Sequence, residues 1–126
     1  MSRGRTPRMR KVNEQLREII AEEVGGLKDP RIGFVTITGV DTNPDLRHAI
    51  VYYTVLGTPE EVAETGAALQ HAHSRFQRAI ASQVRMRYTP VLEFRVDETV
   101  ERGLRISQIL HDLEIEEAEQ GRADEE

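Results

Sequence analysis

Residues 58–84, TPEEVAETGAALQHAHSRFQRAIASQV, have the pattern that is most informative about the fold. Residues 58–61 combine a threonine N-cap, a proline for the first helical turn and a capping-box glutamate. Helical periodicity then continues to the end of the stretch, which is long for one straight helix in a chain of 126 residues. The small residues near Ala72 and Ser74 therefore predict a bend that divides the region into two helices.

Alternating apolar residues predict three strands, two before this helical region and one after it. Residues 34–38 and 47–56 are rich in β-branched and aromatic residues, and the turn-forming residues 41–45 lie between them. This pattern predicts a hairpin. Residues 92–96 alternate apolar with charged side chains, which indicates a third strand with one face in water.

Two further helices are predicted at the ends of the chain. Thr6 and Pro7 suit the start of a first helix, which Gly25-Gly26 would end. A last helix is expected from about Glu98 to Leu113, followed by an acidic, disordered tail over residues 114–126. The order α-β-β-α-(bend)-α-β-α predicts one domain over residues 1–113. Its architecture is a two-layer α+β sandwich with the helices on one face of a three-stranded sheet.

The composition excludes several classes of protein. The chain has no cysteine, so it has no disulfide scaffold, no thiolate zinc site and no cysteine nucleophile. Its longest uncharged apolar stretch, about residues 49–56, is far shorter than the roughly 20 residues of a membrane-spanning helix. Glutamates occur at positions 14, 18, 22 and 23, where a signal peptide would be apolar. We therefore expect a cytoplasmic protein that does not bind membranes.

The net charge of −5 conceals two basic segments. Residues 1–11 contain five basic and no acidic residues, and residues 71–96 contain five basic residues and one acidic residue. Such segregated charge is typical of proteins that bind a polyanion. Arginine outnumbers lysine fifteen to two. Arginine forms planar, bidentate contacts with phosphate, although a genomic preference for arginine codons would produce the same ratio.

The helix after the predicted bend separates polar from apolar side chains when it is projected at 100° per residue. The polar face carries Arg75, Arg78, Ser82 and Arg85. The apolar face carries Phe76, Ile80 and Val84. Because no acidic residue occurs between Glu64 and Glu93, no sequence neighbour would neutralise these arginines. The polar face and the positive end of the helix dipole then suit phosphate. The alternative is an ordinary solvated face.

The N-terminal segment is the second basic element. Its basic residues are Arg3, Arg5, Arg8, Arg10 and Lys11. A basic arm that leads into a helix commonly binds a nucleic-acid backbone. The alternative is a solubilising segment without a partner.

Residues that could carry catalysis or bind metal do not form a convincing site. His71 and His73 are two positions apart and do not share a helix face, so no metal site is expected there. Ser82 and Ser107 lack the surroundings of a nucleophile elbow, and no glycine-rich phosphate loop occurs. The carboxylates do not suggest an acid–base pair. We therefore expect a protein that is not an enzyme and has no cofactor.

The order and spacing of several segments resemble the bacterial ribosome-binding factor A family. The segments are DPRIG at 29–33, VTITGV at 35–40, Asp45-Leu46, AIVY at 49–52, and RMRYTPVLEF at 85–94. The resemblance covers about residues 5–113. It implies a type II K-homology RNA-binding domain in an assembly factor that is not an enzyme.

The resemblance also implies a function and a set of partners. Such factors bind the immature small (30S) ribosomal subunit through 16S rRNA and support its maturation and 5′-end processing, including in the cold. Assembly GTPases are expected partners, and the absence of a coiled-coil pattern favours a monomer. The family has Ala-x-Gly at the bend, where this chain has Ala72-His73-Ser74. We expect these three residues and Arg87 to contact RNA, together with the basic residues named above.

Two other functions remain as alternatives. The acidic C-terminal segment could dock a basic ribosomal protein, which would make the chain a protein-interaction module. A small hydrolase that uses carboxylates is the third hypothesis, and it lacks a convergent set of residues.

Overall fold

The computed structural model describes residues 6–99 and residue 115. In this part of the chain the elements are α1 (Pro7–Gly25), β1 (Phe34–Thr42), β2 (His48–Leu56), α2 (Pro59–His71), α3 (His73–Gln83) and β3 (Val91–Val96). They belong to the first of two compact units, Met1–Val96 and Asp97–Glu126. The predicted order of elements is confirmed as far as β3. Apart from two residues at the start of the predicted last helix and residue 115, that helix and the predicted tail lie outside the described residues.

The helices begin where the sequence predicts. The Thr6 hydroxyl accepts a hydrogen bond from the backbone N–H of Met9 at 3.1 Å, which caps α1. Thr58 and Glu61 form a reciprocal capping box at the start of α2, with both bonds at 3.2 Å. The predicted bend lies at Ala72, where the backbone leaves the helical conformation (φ −84°, ψ 7°) and separates α2 from α3.

The sheet has the strand order β1-β2-β3. β1 and β2 form an antiparallel hairpin, whereas β2 and β3 are parallel. Two parallel strands need a long crossover connection, and α2 and α3 provide it. Alternate residues of β2 are buried against the helices, including Ala49, Val51 and Tyr53. This alternation confirms the predicted two-layer α+β arrangement.

β1 continues beyond the predicted end at residue 38, because a bulge interrupts the alternating pattern on which the prediction rests. The pairing register with β2 shifts between Ile37 and Gly39. Ile37 is buried before the bulge, and Val40 and Thr42 are buried after it, so the side chains that face the helices change from odd to even positions. A simple period of two therefore ends at residue 38, although the strand continues to Thr42.

The core lies between the sheet and the three described helices. Its most deeply buried apolar side chains are Leu16, Ile20, Val51, Leu69, Phe76 and Ile80. The Phe76 and Phe94 rings pack at 5.3 Å between centroids, which joins α3 to β3. Burial of each such side chain contributes about 1.5–3 kcal/mol to the free energy of unfolding. Phe76 and Ile80 confirm the predicted apolar face of α3.

Candidate nucleic-acid interface

A groove of about 700 Å³ lies between the first turns of α1, the β1–β2 turn and the segment that joins α3 to β3. Five basic residues line the groove, and we call them the groove cations: Arg8, Lys11, Arg47, Arg85 and Arg87. Asp45 is the one acidic residue among the described lining residues. A cleft lined mainly by one sign of charge concentrates the field and attracts ligands of the opposite sign.

The antiparallel packing of α1 on α3 brings the two basic segments of the sequence together. Glu23 near the end of α1 bonds to Arg75 near the start of α3. Arg8 at the start of α1 lines the same groove as Arg85, which follows the end of α3. Residues that are more than seventy positions apart in the sequence therefore share one cleft.

The segment between α3 and β3 is held in place by the side chain of Gln77. Its Nε2 donates to the carbonyl oxygen of Pro90 at 2.9 Å, and its Oε1 accepts from the backbone N–H of Leu92 at 3.0 Å. The amide thus bonds the backbone on either side of Val91, at the start of β3. This pair of bonds fixes the end of the segment that carries Arg85 and Arg87.

Arg85 does not extend the polar face of α3, which corrects the sequence prediction. The helix ends at Gln83, and Val84 is extended (φ −118°, ψ 124°). The hydroxyl of Ser82 donates to the carbonyl oxygen of Ala79 at 3.0 Å, a contact that competes with regular helical bonding. A β-branched valine also favours the extended conformation. Arg85 therefore lies in the connecting segment and lines the groove.

Arg47 was not among the predicted site residues. It follows Leu46, whose φ of 59° is the one positive value at a non-glycine residue within the described chain. The backbone N–H of Arg47 donates to Oδ1 of Asp45 at 3.0 Å, and its carbonyl oxygen accepts from Val91 at 2.8 Å. The Arg47 guanidinium lies over the ring of Tyr88, 4.3 Å from its centroid. No local signal identified this arginine, because it is isolated within an acidic stretch.

Arg75 is neutralised, contrary to the sequence prediction. Its Nε donates to Oε2 of Glu23 at 2.8 Å. The guanidinium also lies against Gly26, where an added Cβ would come within 2.8 Å of Nη2. The absence of acidic residues nearby in the sequence was therefore misleading, because the carboxylate comes from a different helix. Arg78 is exposed, and it makes no hydrogen bond or ion pair with any residue from 6 to 99.

The other predicted contacts lie apart from the groove or outside the described residues. Ala72, His73 and Ser74 form the bend, at the opposite end of α3 from Arg85; an 11-residue helix is about 16 Å long. Arg10 lines a separate recess of about 420 Å³. Arg3 and Arg5 lie outside the described residues.

Three arginines elsewhere in the same unit are paired with carboxylates, unlike the groove cations. Arg17, Arg31 and Arg95 each bond to a carboxylate that is two or three positions away. The bonds from Arg31 lower the pKa of Asp29 to about 2. Within residues 6–99, none of the groove cations forms an ion pair. Within this part of the chain, their charges are therefore available to an external anion.

The described helices include none long and apolar enough to cross a membrane. Among residues 6–99 and 115, no group of three or more histidine, aspartate or glutamate side chains could hold a metal ion.

Three described helices on a three-stranded sheet make this an α+β protein, and the fold is consistent with the K-homology-like class. The family model described as ribosome-binding factor A matches residues 8–110. The chain belongs to the ribosome-binding factor A family, which confirms the resemblance seen in the sequence.

Individual relatives agree with this assignment. Ribosome-binding factor A from Geobacter sulfurreducens is 43% identical over 110 residues, which cover 86% of this chain and 93% of the relative. The crystal structure of ribosome-binding factor A from Thermus thermophilus matches with a TM-score of 0.63 and 33% identity, over 70% of this chain and 93% of that chain. A homology model of the Thermus thermophilus factor, fitted into a cryo-electron-microscopy map of a 30S complex, has a TM-score of 0.56 and 35% identity. The match covers 66% of this chain and 88% of that chain.

Proposed function

We propose that the protein binds the 30S ribosomal subunit by holding a segment of the 16S rRNA backbone in the groove. The observation that carries this proposal is the convergence of the groove cations, which make no ion pair within residues 6–99. The Thermus relative fitted into a map of a 30S complex supports the choice of partner. Neutralising phosphates with such side chains releases counterions, which makes binding favourable and dependent on salt.

The bend forms a second, smaller contact in this proposal. Arg78 is exposed and unpaired within residues 6–99, and the bend residues Ala72, His73 and Ser74 lie one turn before it. Arg3, Arg5 and Arg10 belong to the basic N-terminal segment, and in this proposal they contribute further contacts with the RNA backbone. Arg75 contributes less than Arg78, because an incoming phosphate would have to displace Glu23.

Binding of this kind gives the protein a role in subunit assembly. We assign to it support for 16S rRNA maturation and 5′-end processing, including at low temperature, as a monomer in the cytoplasm. It acts without catalysis, alongside assembly GTPases. A protein that binds the rRNA backbone reversibly can stabilise one conformation of an rRNA precursor while processing enzymes act on that precursor.

Salt dependence provides the test. Binding of the full chain to purified 30S subunits is measured between about 50 and 300 mM KCl for the wild type and for the double variant Lys11→Gln with Arg85→Gln. Each lost phosphate contact lowers the slope of log K against log salt by about 0.7 for single strands, so the double variant should lose about 1.4. Its affinity at low salt should fall correspondingly.

A matched control removes the same number of positive charges outside the groove. The double variant Arg17→Gln with Arg95→Gln removes two cations that are already paired with carboxylates. Its slope should remain close to that of the wild type. If both double variants reduce the slope equally, only net charge matters and the groove is not the contact. Capture of 30S proteins that survives ribonuclease would instead favour docking through the acidic C-terminal segment.

A further inference from the structure

Tyr88 is an exposed aromatic side chain inside the basic groove. Its exposed fraction is 44%, whereas Tyr53 and Phe76 are buried in the core. The guanidinium of Arg47 lies 4.3 Å from the centroid of the Tyr88 ring, and that of Arg87 lies 5.4 Å from it. An aromatic ring flanked by cations provides a flat apolar surface next to positive charge. Binding of the RNA phosphate backbone alone would require only the positive charges and no aromatic ring.

The remaining lining of the groove has the same mixed character. Between the groove cations lie the apolar side chains of Val12, Leu46, Val84 and Met86, each of which is partly buried. The volume of about 700 Å³ is within the usual range of small-molecule sites, roughly 300–1,000 Å³. The groove therefore combines an apolar floor with a cationic rim. A nucleotide has the complementary character, with an apolar base face and an anionic phosphate.

We infer that the groove binds an unpaired nucleotide of RNA, with the base stacked on the pair that Tyr88 forms with Arg47 and the adjoining phosphate held by Arg85 and Arg87. This inference rests on the proposed function, to which it adds a base subsite and a preference for single strands. A base inside a duplex has its faces covered by its neighbours, so it cannot stack on a protein ring unless it leaves the helix. Unpaired bases stack readily on aromatic rings and on guanidinium planes.

The backbone supports this placement of Tyr88 and Arg47. The carbonyl oxygen of Arg47 bonds to the N–H of Val91, which ties the β1–β2 turn to the end of the segment that carries Tyr88. Gln77 holds the same end of that segment from α3. The two residues that would form the stacking surface thus come from segments that are bonded to each other, which favours a preformed site.

Tyr88→Leu and Tyr88→Phe test the inference without a change of charge. The probes are a single-stranded RNA 12-mer of mixed sequence and a blunt RNA duplex of the same length. Tyr88→Leu should weaken binding of the single strand about 10-fold, as expected for the loss of one stacked base, and leave duplex binding within about 2-fold. Tyr88→Phe should bind both probes like the wild type. The salt slope should be the same for all three proteins, since none of them loses a cation.

Arg85→Gln is the matched control for charge, because it should lower the salt slope and weaken both probes. The base-stacking inference is refuted if Tyr88→Leu binds the single strand like the wild type, or if it weakens both probes equally. If the wild type still shows salt-dependent binding in that case, the proposed function stands. If the wild type binds neither RNA nor 30S subunits, the proposed function fails as well.

A second measurement needs no variant and remains informative if Tyr88→Leu fails to fold. The wild-type protein is irradiated in complex with a single-stranded RNA 12-mer that contains 5-iodouridine, and the cross-linked peptide is sequenced. Cross-linking at Tyr88 supports the base subsite. Cross-linking confined to residues outside the groove refutes it.

Discussion

Replacing Gly66 with alanine should reveal how tightly α2 packs on the sheet. Gly66 lies within α2, and an added Cβ would come within 2.7 Å of the Tyr53 hydroxyl oxygen, a distance that real Cβ atoms do not reach. Tyr53 is 5% exposed, so its ring cannot move aside freely. The substitution therefore has two opposing effects. Alanine favours the helix over glycine by about 1 kcal/mol, and overpacking costs about 1–3 kcal/mol.

The sign of the effect should depend on the residue at position 53. With Tyr53 present, Gly66→Ala should lower the free energy of unfolding by up to about 2 kcal/mol. In a Tyr53→Phe background the hydroxyl is absent, and the next atom of the ring, Cζ, lies at an ordinary 3.9 Å. There the same substitution should raise the free energy of unfolding by up to about 1 kcal/mol. The two changes should therefore be coupled by about 1–3 kcal/mol.

Urea denaturation of the wild type, the two single variants and the double variant measures this coupling. A difference of about 1 kcal/mol also corresponds to about 4–8 °C in Tm for a unit of this size. Gly25→Ala is the matched control, because an added Cβ there meets nothing within 4 Å. Its effect should be the same in both backgrounds. A Gly66→Ala effect that is equal with tyrosine and phenylalanine at position 53 would refute the steric argument.

Three further predictions concern the polar contacts that hold the structure together. Gln77→Leu removes two bonds to the start of β3, and chemical denaturation should show a loss of about 1–3 kcal/mol. Charge reversal at both Glu23 and Arg75 should restore most of the stability lost by either reversal alone, as a thermal double-mutant cycle can show. The pKa of Asp29 is about 2, below its ordinary value of 3.8, so the stabilising contribution of this group is complete above about pH 4 and is lost as the pH falls through 2. An NMR titration should find that midpoint, and Arg31→Gln should return it toward 3.8.

Much of the architecture was accessible from local patterns. Thr6 and Thr58 cap helices because their hydroxyls accept bonds from residues three positions ahead. The bend near Ala72 followed from the length of the periodic stretch and its small residues. Features of this kind depend on contacts within one helical turn, so a short segment of sequence is enough to predict them. The β1 strand shows the limit, since the bulge at residues 37–39 changes which side chains face the core.

The candidate site was only partly predictable for the same reason. The basic character of residues 1–11 and 71–96 was evident from the composition, and the resemblance to the family was carried by short local segments. The partner of Arg75 was not evident, because Glu23 is 52 positions away. Arg47 and Tyr88 were also missed, since neither stands out until the β1–β2 turn meets the segment before β3.

Local sequence patterns were sufficient to predict the first three helices, the side-chain caps of α1 and α2, the bend, the second and third strands, the separation of charge and the family. Which cations are neutralised, and which of them surround one groove, became evident from the packing of the elements. The physical reason is the range of the interactions. Capping and periodicity act over three or four residues, whereas an ion pair or a cleft depends on which distant segments the packing of the core brings within a few ångströms of each other.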